Sequence, residues 1–463
     1  ISLVYNKSYI FLISADTLRA DFLELYGNKD KISDNITEFS KDCVVFDNCY
    51  STSSWTLPAH ISLFTGNNVY NHWVYNSDMA LSDKIPFYPE IMSETNYLFS
   101  INGGVFLDSK YGFFRGFDHY HSISWSGKNF NRSQNVNESE KMFKKNREFI
   151  NLLPVSNVFS FLHTYQVHSP YQSHKGLKYS DSLLKRKFPK VVRVPQSLGN
   201  KQTNGRASIF RNLPTRRSGI LKSLYKAEVE FFDHQFGEFV KYLKSINIYD
   251  KSLIVLLSDH GEEFFDHKAW GHGHSLYNEL IKIPLLIKFP NSKYSGVRVK
   301  QNSSIIDVFP TLLDYLKIPD IKSDGKSLMN YIKLKETEND RIIVSVIKYI
   351  TSKKQGVGKF PQKIAVMWKN FKLIYNFKYS KELLEYYSSF PPPTYTDYEL
   401  YDLDVDKLEM NNVYKDKNNI KVSAFLKNKI NRIKRNIFNN RSKTKIITIE
   451  EKNRNKLKAL GYL

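Results

Sequence analysis

Three polar residues follow two short apolar runs of the sequence, and their side chains are of the types that bind metal ions. Asp16 comes directly after "YIFLISA" (9–15), and Asp259 and His260 close the run "SLIVLLSDH" (252–260). Two carboxylates and an imidazole can bind a divalent cation, and this mixture suits Zn²⁺ or Mn²⁺ more clearly than Mg²⁺ or Ca²⁺. A lone aspartate after a strand is more often a helix cap. The two positions together favour a metal site.

A threonine in "SSWTLPAHISLFTG" (53–66) is a candidate nucleophile. Pro58 suits the first turn of a helix, so we expect Thr56 to lie just before the helix start, where amide groups and the helix dipole favour an anion. A metal ion next to this hydroxyl would make it able to attack an electrophile such as phosphorus. The alternative is a simple capping threonine, and the neighbouring metal site is what favours the nucleophile.

The elements that must position these residues alternate between strands and helices. Apolar runs rich in β-formers predict buried strands at 9–15, 157–164, 252–259 and 283–290. Amphipathic or apolar segments between them predict helices at 36–43, 59–66 and 221–246. This alternation predicts an α/β fold with a mostly parallel sheet, in which ligands bind at the carboxyl ends of the strands. Both predicted metal-binding segments lie at such ends.

The rest of the chain departs from this rhythm in two places. Residues 172–222 are rich in Pro, Gly, Ser and basic residues and predict an insertion over one face. Beyond residue 335, "RIIVSVI", "KIAVMWKNFKLIYNF" and "YELYDLDVD" predict antiparallel strands, and the final "IITIEEKNRNKLKALGYL" predicts a helix. We therefore expect a catalytic domain at 1–335 and a C-terminal α+β subdomain with a basic helical tail at 336–463.

Charge and composition restrict the classes of partner. The 463 residues carry a net charge of +22, and 175–222 holds many basic residues with Asp181 as its one acid. Such a run favours an anionic partner, although it is equally typical of a solvated loop. No aromatic and basic pattern of a nucleic-acid module accompanies it, so we expect no specific nucleic-acid partner. The sequence predicts no membrane span, and the two cysteines, Cys43 and Cys49, leave the compartment open.

Eight segments in a consistent order resemble the sulfatase family of the alkaline phosphatase superfamily. They are "SADTLRAD", "TLPAHISLFTG", "GFFRGFDHY", "YKAEVEFFDHQFG", "SDHGEEF…WGHGHSLYNELIKIPLLI", "IIDVFPTLLDYL", "YELYDLDVDKLEMNNV" and "LKALGYL". The resemblance implies a three-layer alkaline-phosphatase-like fold, with a mostly parallel sheet between helices.

The resemblance also implies roles for individual residues. Asp16, Asp259 and His260 match metal ligands, and Thr56 falls at the position of the nucleophile, where it also binds the metal. His60 occupies the place of an arginine that supports the nucleophile. Three further residues match positions that face the ester: His168 and His272 as catalytic groups and His274 as a substrate-binding group. Either of the last two histidines could be the one that faces the substrate.

Several departures from the sulfatase pattern bear on the reaction. Sulfatases convert a cysteine or serine at the nucleophile position to formylglycine, and Thr56 cannot give that aldehyde. Asp16 is followed by Thr17 where many sulfatases have a second aspartate, and Asn102 stands near the place of a Lys-x-His element, where we expect it to bind substrate. Thr164 replaces an aspartate that two-metal relatives use. We therefore expect one metal ion, either Zn²⁺, Mn²⁺, Ca²⁺ or Mg²⁺.

These inferences predict a two-step displacement on a phosphate ester. Thr56 attacks phosphorus, and water or an acceptor alcohol then resolves the phospho-threonine, which makes the protein a phosphomonoesterase, a phosphodiesterase or a headgroup phosphotransferase. The substrate is expected to be an anionic small molecule, glycan or lipid-headgroup ester. One alternative is a sulfate ester hydrolase that works without formylglycine. Another is a non-catalytic binding protein of the same fold, which the intact set of predicted ligands disfavours.

Overall fold

An eight-stranded sheet forms the centre of the protein, as seen in a computed structural model. The structure describes residues 8–123, 137–153, 157–186, 191–192, 214–319, 321–347, 363–377, 396–439 and 444–447. In spatial order, the strands of the sheet are β15 (Arg298–Val299), β2 (Val44–Phe46), β14 (Leu285–Lys288), β10 (Ser252–Leu257), β1 (Tyr9–Ala15), β7 (Val158–Thr164), β5 (Tyr97–Asn102) and β6 (His119–Ser122).

The direction of these strands confirms the predicted mostly parallel sheet. β1 lies between β10 and β7 and is parallel to both, with Ser14 opposite Leu257 on one side and His163 on the other. Only β14 runs against its neighbours β10 and β2. The run predicted as one strand at 283–290 is divided at Pro284, which has no amide hydrogen to donate to a ladder, so β13 (Lys282–Ile283) pairs elsewhere.

Helices cover both faces of the sheet. They are α1 (Asp34–Ser40), α2 (Thr56–Thr65), α3 (Val69–His72), α4 (Tyr88–Met92), α5 (Glu138–Leu152), α6 (Lys178–Lys185), α7 (Pro214–Ser245), α8 (Asn278–Ile281), α9 (Val308–Leu316), α10 (Met329–Ile332) and α11 (Ile420–Asn439). The three helices predicted from sequence are α1, α2 and α7, and α7 begins seven residues before the predicted position 221. Among the described helices, none has both the length and the apolar composition that crossing a membrane would require.

Alternating side chains of the central strand explain the three layers. Ile10 and Leu12 of β1 point into one buried cluster, which includes Phe64 of α2. Phe11 and Ile13 point to the opposite face, into a second cluster formed largely with α7. Because side chains of a strand alternate between its faces, a run that is apolar throughout requires cover on both sides. The predicted three-layer fold is thus confirmed.

Smaller sheets complete the structure. A four-stranded antiparallel sheet consists of β17 (Ile342–Ile347), β18 (Lys363–Trp368), β19 (Phe371–Asn376) and β20 (Tyr398–Asp402), and the buried face of α11 packs on it. This confirms the small C-terminal antiparallel sheet. In a three-stranded sheet, β3 (Cys49–Tyr50) lies between β13 and β16 (Ser303–Ser304). The two-stranded sheets are β8 (Tyr171–Gln172) with β9 (Val191–Val192), β11 (Glu263–Phe264) with β12 (Trp270–Gly271), and β4 (Met79–Leu81) with β21 (Thr444–Ile446).

Some of the predicted features lie outside the described residues. Most of the basic insertion predicted at 172–222 does so, as does the predicted C-terminal helix beyond residue 447. The division of the chain at residue 335 stays a prediction.

A histidine ties the loop before β12 to the C-terminal part of the chain. The His267 Nδ1 atom lies 2.6 Å from Glu279 Oε1, and its Nε2 atom lies 3.2 Å from the carbonyl oxygen of Glu409. Its ring stacks on Tyr277 at a centroid distance of 3.7 Å. Burial opposes the charged imidazolium, but Glu279, the Glu409 carbonyl and Glu263 together outweigh burial and raise the pKa of His267 to about 9.

We expect this contact to make folding stability fall between mildly acidic and alkaline pH. A group whose pKa is raised from 6.5 to about 9 on folding stabilises fully below pH 6.5 and loses that contribution as the pH rises through 9. The contribution is on the order of 2–3 kcal/mol. Urea unfolding at several pH values should show the native protein more stable than His267→Gln at pH 6, with the difference gone above pH 9. A difference that is constant with pH would contradict this assignment.

Candidate metal and nucleophile site

Two aspartates meet at one edge of the large sheet. Asp16 follows β1, and its amide donates a hydrogen bond to the carbonyl of Thr164 at 3.0 Å. Asp259 follows β10, which is the parallel neighbour of β1, and each aspartate comes two residues after the last paired position of its strand. Since the carboxyl ends of parallel strands lie side by side, the fold brings both carboxylates together. Both side chains are fully buried.

Thr56 lies directly beside this pair. Its Oγ1 atom is 3.0 Å from Asp16 Oδ2 and 3.4 Å from His260 Nε2, and its side chain is fully buried. The sequence predicts Thr56 just before the helix, whereas the structure makes it the first residue of α2, and Trp55 takes the cap position. Pro58 still lies in the first turn, where its missing amide hydrogen costs no helical hydrogen bond.

The charges of the cluster are unequally compensated. Burial and the neighbouring charge of Asp259 raise the pKa of Asp16 well above its usual value. Burial also disfavours the charged form of Asp259, but the surrounding histidines, His260 foremost, hold its pKa below the usual value. Asp16 Oδ1 and Asp259 Oδ2 have no hydrogen-bond partner among the described residues, and both atoms are buried. Two buried carboxylates with free oxygens call for a cation.

The donor atoms fit a divalent metal ion. Asp16, Asp259 and His260 each offer one ligand atom, and these three atoms lie within 4.8 Å of one another. Thr56 Oγ1 adds an oxygen as a fourth possible ligand atom at the same place. The residues predicted from sequence as the metal ligands are therefore brought together, and their side chains match the chemistry that Zn²⁺ and Mn²⁺ prefer.

His60 connects the helix of Thr56 to the central strand. One turn after Thr56, its Nδ1 atom lies 3.0 Å from the Thr56 carbonyl oxygen, and its Nε2 atom lies 3.1 Å from Ser14 Oγ. The Nδ1 atom is also 3.5 Å from Asp259 Oδ2. Burial lowers the pKa of His60 to about 3, so the ring is neutral. The structure thus places His60 beside the backbone of the predicted nucleophile.

Two consecutive glutamates orient the histidines of "GHGH". Glu262 Oε1 lies 2.7 Å from His272 Nδ1, and Glu263 Oε2 lies 2.6 Å from His274 Nε2. The His272 ring is 4.6 Å from that of His260 between centroids, which places it at the metal site. His168 lies 5.1 Å from His272 on the other side, and burial lowers its pKa to about 4. The rings of His260, His272 and His168 are therefore successive neighbours.

Comparison with known proteins agrees with this geometry. A family model described as "Sulfatase" matches residues 8–318, which is more than half of the chain. The chain belongs to the sulfatase family. A second model, "N-sulphoglucosamine sulphohydrolase, C-terminal", matches residues 262–436. The membership that the sequence segments predict is thereby confirmed.

Curated members of the family are distant in sequence. The human arylsulfatase K is 30% identical over 99 residues, a stretch that covers 21% of this chain and 18% of that protein. An arylsulfatase of Clostridium perfringens is 22% identical, with 71% of this chain and 79% of that protein covered. An N-acetylglucosamine-6-O-sulfatase of Bacteroides thetaiotaomicron is 20% identical, with 88% and 83% covered.

Several solved structures share the fold of this chain. The phosphonate monoester hydrolase of Agrobacterium radiobacter superposes with a TM-score of 0.71 at 18% identity, covering 93% of this chain and 96% of that one. A protein solved with its substrate D-glucosamine-2-N,6-O-disulfate gives a TM-score of 0.69 at 16% identity, covering 94% and 99%. At such identities these likenesses establish the fold.

In this sulfatase-family protein, Asn102 takes part in holding a turn. Its Oδ1 atom accepts hydrogen bonds from the Gly104 amide at 2.9 Å and from Ser122 Oγ at 3.1 Å, and its Nδ2 atom donates to Ser100 Oγ at 2.9 Å. Its side chain is fully buried. These contacts lie within the β5 and β6 region, so its role as a substrate-binding residue stays a prediction.

The family resemblance and the motif spacing both missed some residues of the site. His163 at the end of β7 lies 3.4 Å from Asp16 Oδ2, and Ser14 contacts His60. Each is a polar residue within a fully buried strand, and the two are paired in register. A polar residue near the carboxyl end of a buried strand is the signal that would have found them. Glu262 and Glu263 give no such signal, because two adjacent acids after a strand are common in exposed loops.

Adding a divalent cation should stabilise the metal-free protein through Asp16 and Asp259. At a concentration about 100 times its dissociation constant, a ligand raises the free energy of unfolding by about 2.7 kcal/mol. Asp16→Asn should abolish that gain in thermal unfolding with Zn²⁺ or Mn²⁺, yet make the metal-free protein no less stable, because it removes a buried charge. Asp233→Asn is the matched control: Asp233 is buried but caps α1 at the Ile36 amide and should leave the gain intact.

Proposed function

We propose that this sulfatase-family protein is a metal-dependent hydrolase or transferase of phosphate esters, with Thr56 as its nucleophile. The observation that carries the proposal is the position of Thr56 Oγ1, which contacts Asp16 Oδ2 at 3.0 Å and His260 Nε2 at 3.4 Å at the head of α2. A threonine whose role was only to cap the helix would bond to a backbone amide of the first turn. Here Trp55 occupies the cap position of α2, and the Thr56 hydroxyl faces Asp16 and His260 instead.

The residue type at this position favours phosphate over sulfate. A formylglycine attacks as an aldehyde hydrate and is made from cysteine or serine, whereas threonine offers a secondary alcohol that oxidation would turn into a ketone. The hydroxyl of Thr56 must then itself displace the leaving group. Attack of this hydroxyl on a phosphate ester forms a covalent intermediate, a phospho-threonine. Its formation separates one difficult displacement into two easier ones.

In the first step, Thr56 Oγ1 attacks the phosphorus atom, its proton passes to Asp16, and the bond to the leaving alcohol breaks. His272 donates a proton to the departing oxygen, since its ring lies beside that of His260. A cation held by Asp16, Thr56, Asp259 and His260 would supply positive charge that favours the deprotonated hydroxyl and offsets charge on the phosphoryl oxygens. In the second step, water or an alcohol gives a proton to His272 and attacks phosphorus, the bond between phosphorus and Thr56 Oγ1 breaks, and Thr56 Oγ1 regains its proton from Asp16.

Buried donors next to Thr56 support an anionic substrate group. Polar side-chain atoms of residues 52–55 and 274–275 are buried and have no hydrogen-bond partner among the described residues, namely Thr52 Oγ1, Ser53 Oγ, Ser54 Oγ, Trp55 Nε1, His274 Nδ1 and Ser275 Oγ. The two segments adjoin, because the Gly273 amide donates to the Ser54 carbonyl at 2.8 Å. Hydroxyl and indole donors that lack partners in the protein are suited to the oxygens of a tetrahedral ester.

Sulfate ester hydrolysis is the second candidate function. Two curated relatives that the chain covers over most of their length are an arylsulfatase and an N-acetylglucosamine-6-O-sulfatase. Phosphate and sulfate esters are both tetrahedral anions, and the same side chains could donate hydrogen bonds to the oxygens of either ester. The choice between them rests on the nucleophile, and it is decided by measurement.

The first test compares turnover of an aryl phosphate monoester, an aryl phosphate diester and an aryl sulfate by protein reconstituted with Zn²⁺ or Mn²⁺. We expect phosphate turnover that Thr56→Ala lowers by at least about a thousandfold, because the nucleophile is lost. Acid quenching during turnover should trap a phosphoryl group on the peptide that contains Thr56, detected by mass spectrometry. Thr56→Ser, which keeps a hydroxyl, should retain measurable activity.

The control for this test is Thr65→Ala at the other end of α2. Thr65 is buried, and its hydroxyl donates to the Ile61 carbonyl at 2.7 Å and accepts from the Asn67 amide at 3.3 Å, so its loss should leave kcat nearly unchanged. Turnover of the sulfate ester alone would favour the second candidate. Equal activity of Thr56→Ala and the native protein would contradict a nucleophilic threonine for either ester.

A second test addresses the glutamate that orients His272. Glu262 bonds to His272 through Oε1 and to the Tyr171 hydroxyl through Oε2, and burial is outweighed by His272, so that the pKa of Glu262 falls to about 2. Glu262→Gln removes the carboxylate that bonds to His272 Nδ1 and orients its ring, and should lower kcat/KM about 10- to 100-fold. Glu230→Gln is the matched control, since Glu230 caps the backbone at Tyr179 and Ser180. Equal effects of the two variants would contradict a catalytic role for the Glu262–His272 pair.

A further inference from the structure

His163 is a buried histidine whose ring nitrogens have no hydrogen bonds within the described structure. It lies in β7 opposite Ser14 of β1, and its side chain has no exposure to solvent. Neither Nδ1 nor Nε2 has a hydrogen-bond partner among the described residues. An unsatisfied buried polar group costs about 1–3 kcal/mol, so most native proteins avoid it. A ring that leaves both nitrogens unpaired calls for a ligand that the protein chain does not provide.

The direction of the ring shows where that ligand would lie. His163 Nε2 is 3.4 Å from Asp16 Oδ2, the same oxygen that Thr56 Oγ1 contacts from the other side at 3.0 Å. A ligand atom of His163 also lies within 4.8 Å of one on Asp259. Behind it, the ring packs edge-to-face on Tyr165 at 4.7 Å between centroids, which fixes its plane. The Nε2 atom therefore faces both carboxylates of the metal site.

The neighbouring His60 does not share this property. Its Nδ1 atom is 3.0 Å from the Thr56 carbonyl, which can only accept, so Nδ1 carries the hydrogen. Its Nε2 atom is then free to accept a hydrogen bond from Ser14 Oγ at 3.1 Å. Both nitrogens of His60 are thus satisfied by the protein. Although His60, His163 and Asp259 are close enough together to suggest a separate metal centre, His163 is the one of these two histidines with a ring nitrogen left to bind a metal.

We propose that His163 is an additional ligand of the metal ion held by Asp16, Asp259 and His260, an inference that rests on the metal site of the proposed function. The site then has two imidazoles and two carboxylates besides Thr56. Nitrogen ligands suit Zn²⁺ and its transition-metal neighbours, whereas Ca²⁺ and Mg²⁺ prefer oxygen. His163 accordingly makes this site selective for a transition metal.

The test measures metal binding directly and does not depend on turnover. Metal-free native protein and His163→Leu are titrated with Zn²⁺ against a competing chelator, and with Ca²⁺ by calorimetry. We expect His163→Leu to bind Zn²⁺ about 10- to 100-fold more weakly. Its affinity for Ca²⁺ should change less than twofold. With Co²⁺ in place of Zn²⁺, the visible absorption spectrum of the variant should differ from that of the native protein, because one nitrogen ligand is lost.

Thermal unfolding of the same two proteins separates ligation from packing. In the metal-free state His163→Leu should unfold at a higher temperature than the native protein, since it replaces an unsatisfied ring with an apolar side chain. Zn²⁺ should then stabilise the variant less than it stabilises the native protein. If His163→Leu fails to fold, His163→Asn takes its place. His72→Asn serves as the control, since His72 is buried and bonds to Ser62 Oγ away from the cluster.

Unchanged Zn²⁺ affinity together with an unchanged Co²⁺ spectrum in both His163 variants would overturn the proposal. A loss of Zn²⁺ and Ca²⁺ binding by the same factor would overturn the selectivity. Failure of the phosphate ester assay alone would refute the proposed reaction and leave these binding results as they stand, so the two failures are distinguishable.

Discussion

The repulsion between two buried carboxylates governs the centre of this protein. Asp16 and Asp259 come at equal distances beyond the paired ends of β1 and β10, so the parallel sheet itself forces them together. Neither side chain reaches solvent, and each keeps a free oxygen within the described structure. Two negative charges at such a place are tolerated only when positive charge or donors surround them. That requirement explains why histidines and the Thr56 hydroxyl surround the two carboxylates. It also explains why a cation is expected at the carboxylate oxygens that have no hydrogen-bond partner within the described structure.

The position of the threonine is set by the same strand that carries the first carboxylate. Ser14 of β1 contacts His60, and His60 contacts the carbonyl of Thr56 one turn earlier in α2. β1 therefore positions both groups. It holds the Thr56 hydroxyl through the side chains of Ser14 and His60, and it holds Asp16 through the backbone. A short connection through two fully buried residues gives the geometric precision that a nucleophile needs, since misplacement of about 1 Å costs a reaction heavily.

Much of the architecture was predictable, because a continuous apolar run or an apolar pattern with a period of 3.6 residues reports burial directly. Tyr9–Ala15 and the long helix containing Phe232 and Phe236 are of this kind. Asp16, Asp259 and His260 were predictable because strand ends converge. His163 was not predicted from the sequence, because a polar residue inside a strand does not show which other strand lies beside it. The register with Ser14 shows that His163 lies next to the carboxyl end of β1. Glu262 and Glu263 depend on side-chain directions that no local pattern encodes.

The pairing of β4 with β21 has a consequence for biosynthesis. Met79–Leu81, soon after the helix of Thr56, has its only described ladder partner in Thr444–Ile446, near the far end of the chain. During translation, Met79–Leu81 stays without this partner until the intervening sequence and Thr444–Ile446 have left the ribosome. A waiting strand edge is a site for wrong pairing between nascent chains, and late closure of so long a loop slows folding. The strand that follows the helix of Thr56 is thus paired only after Thr444–Ile446 has been synthesised.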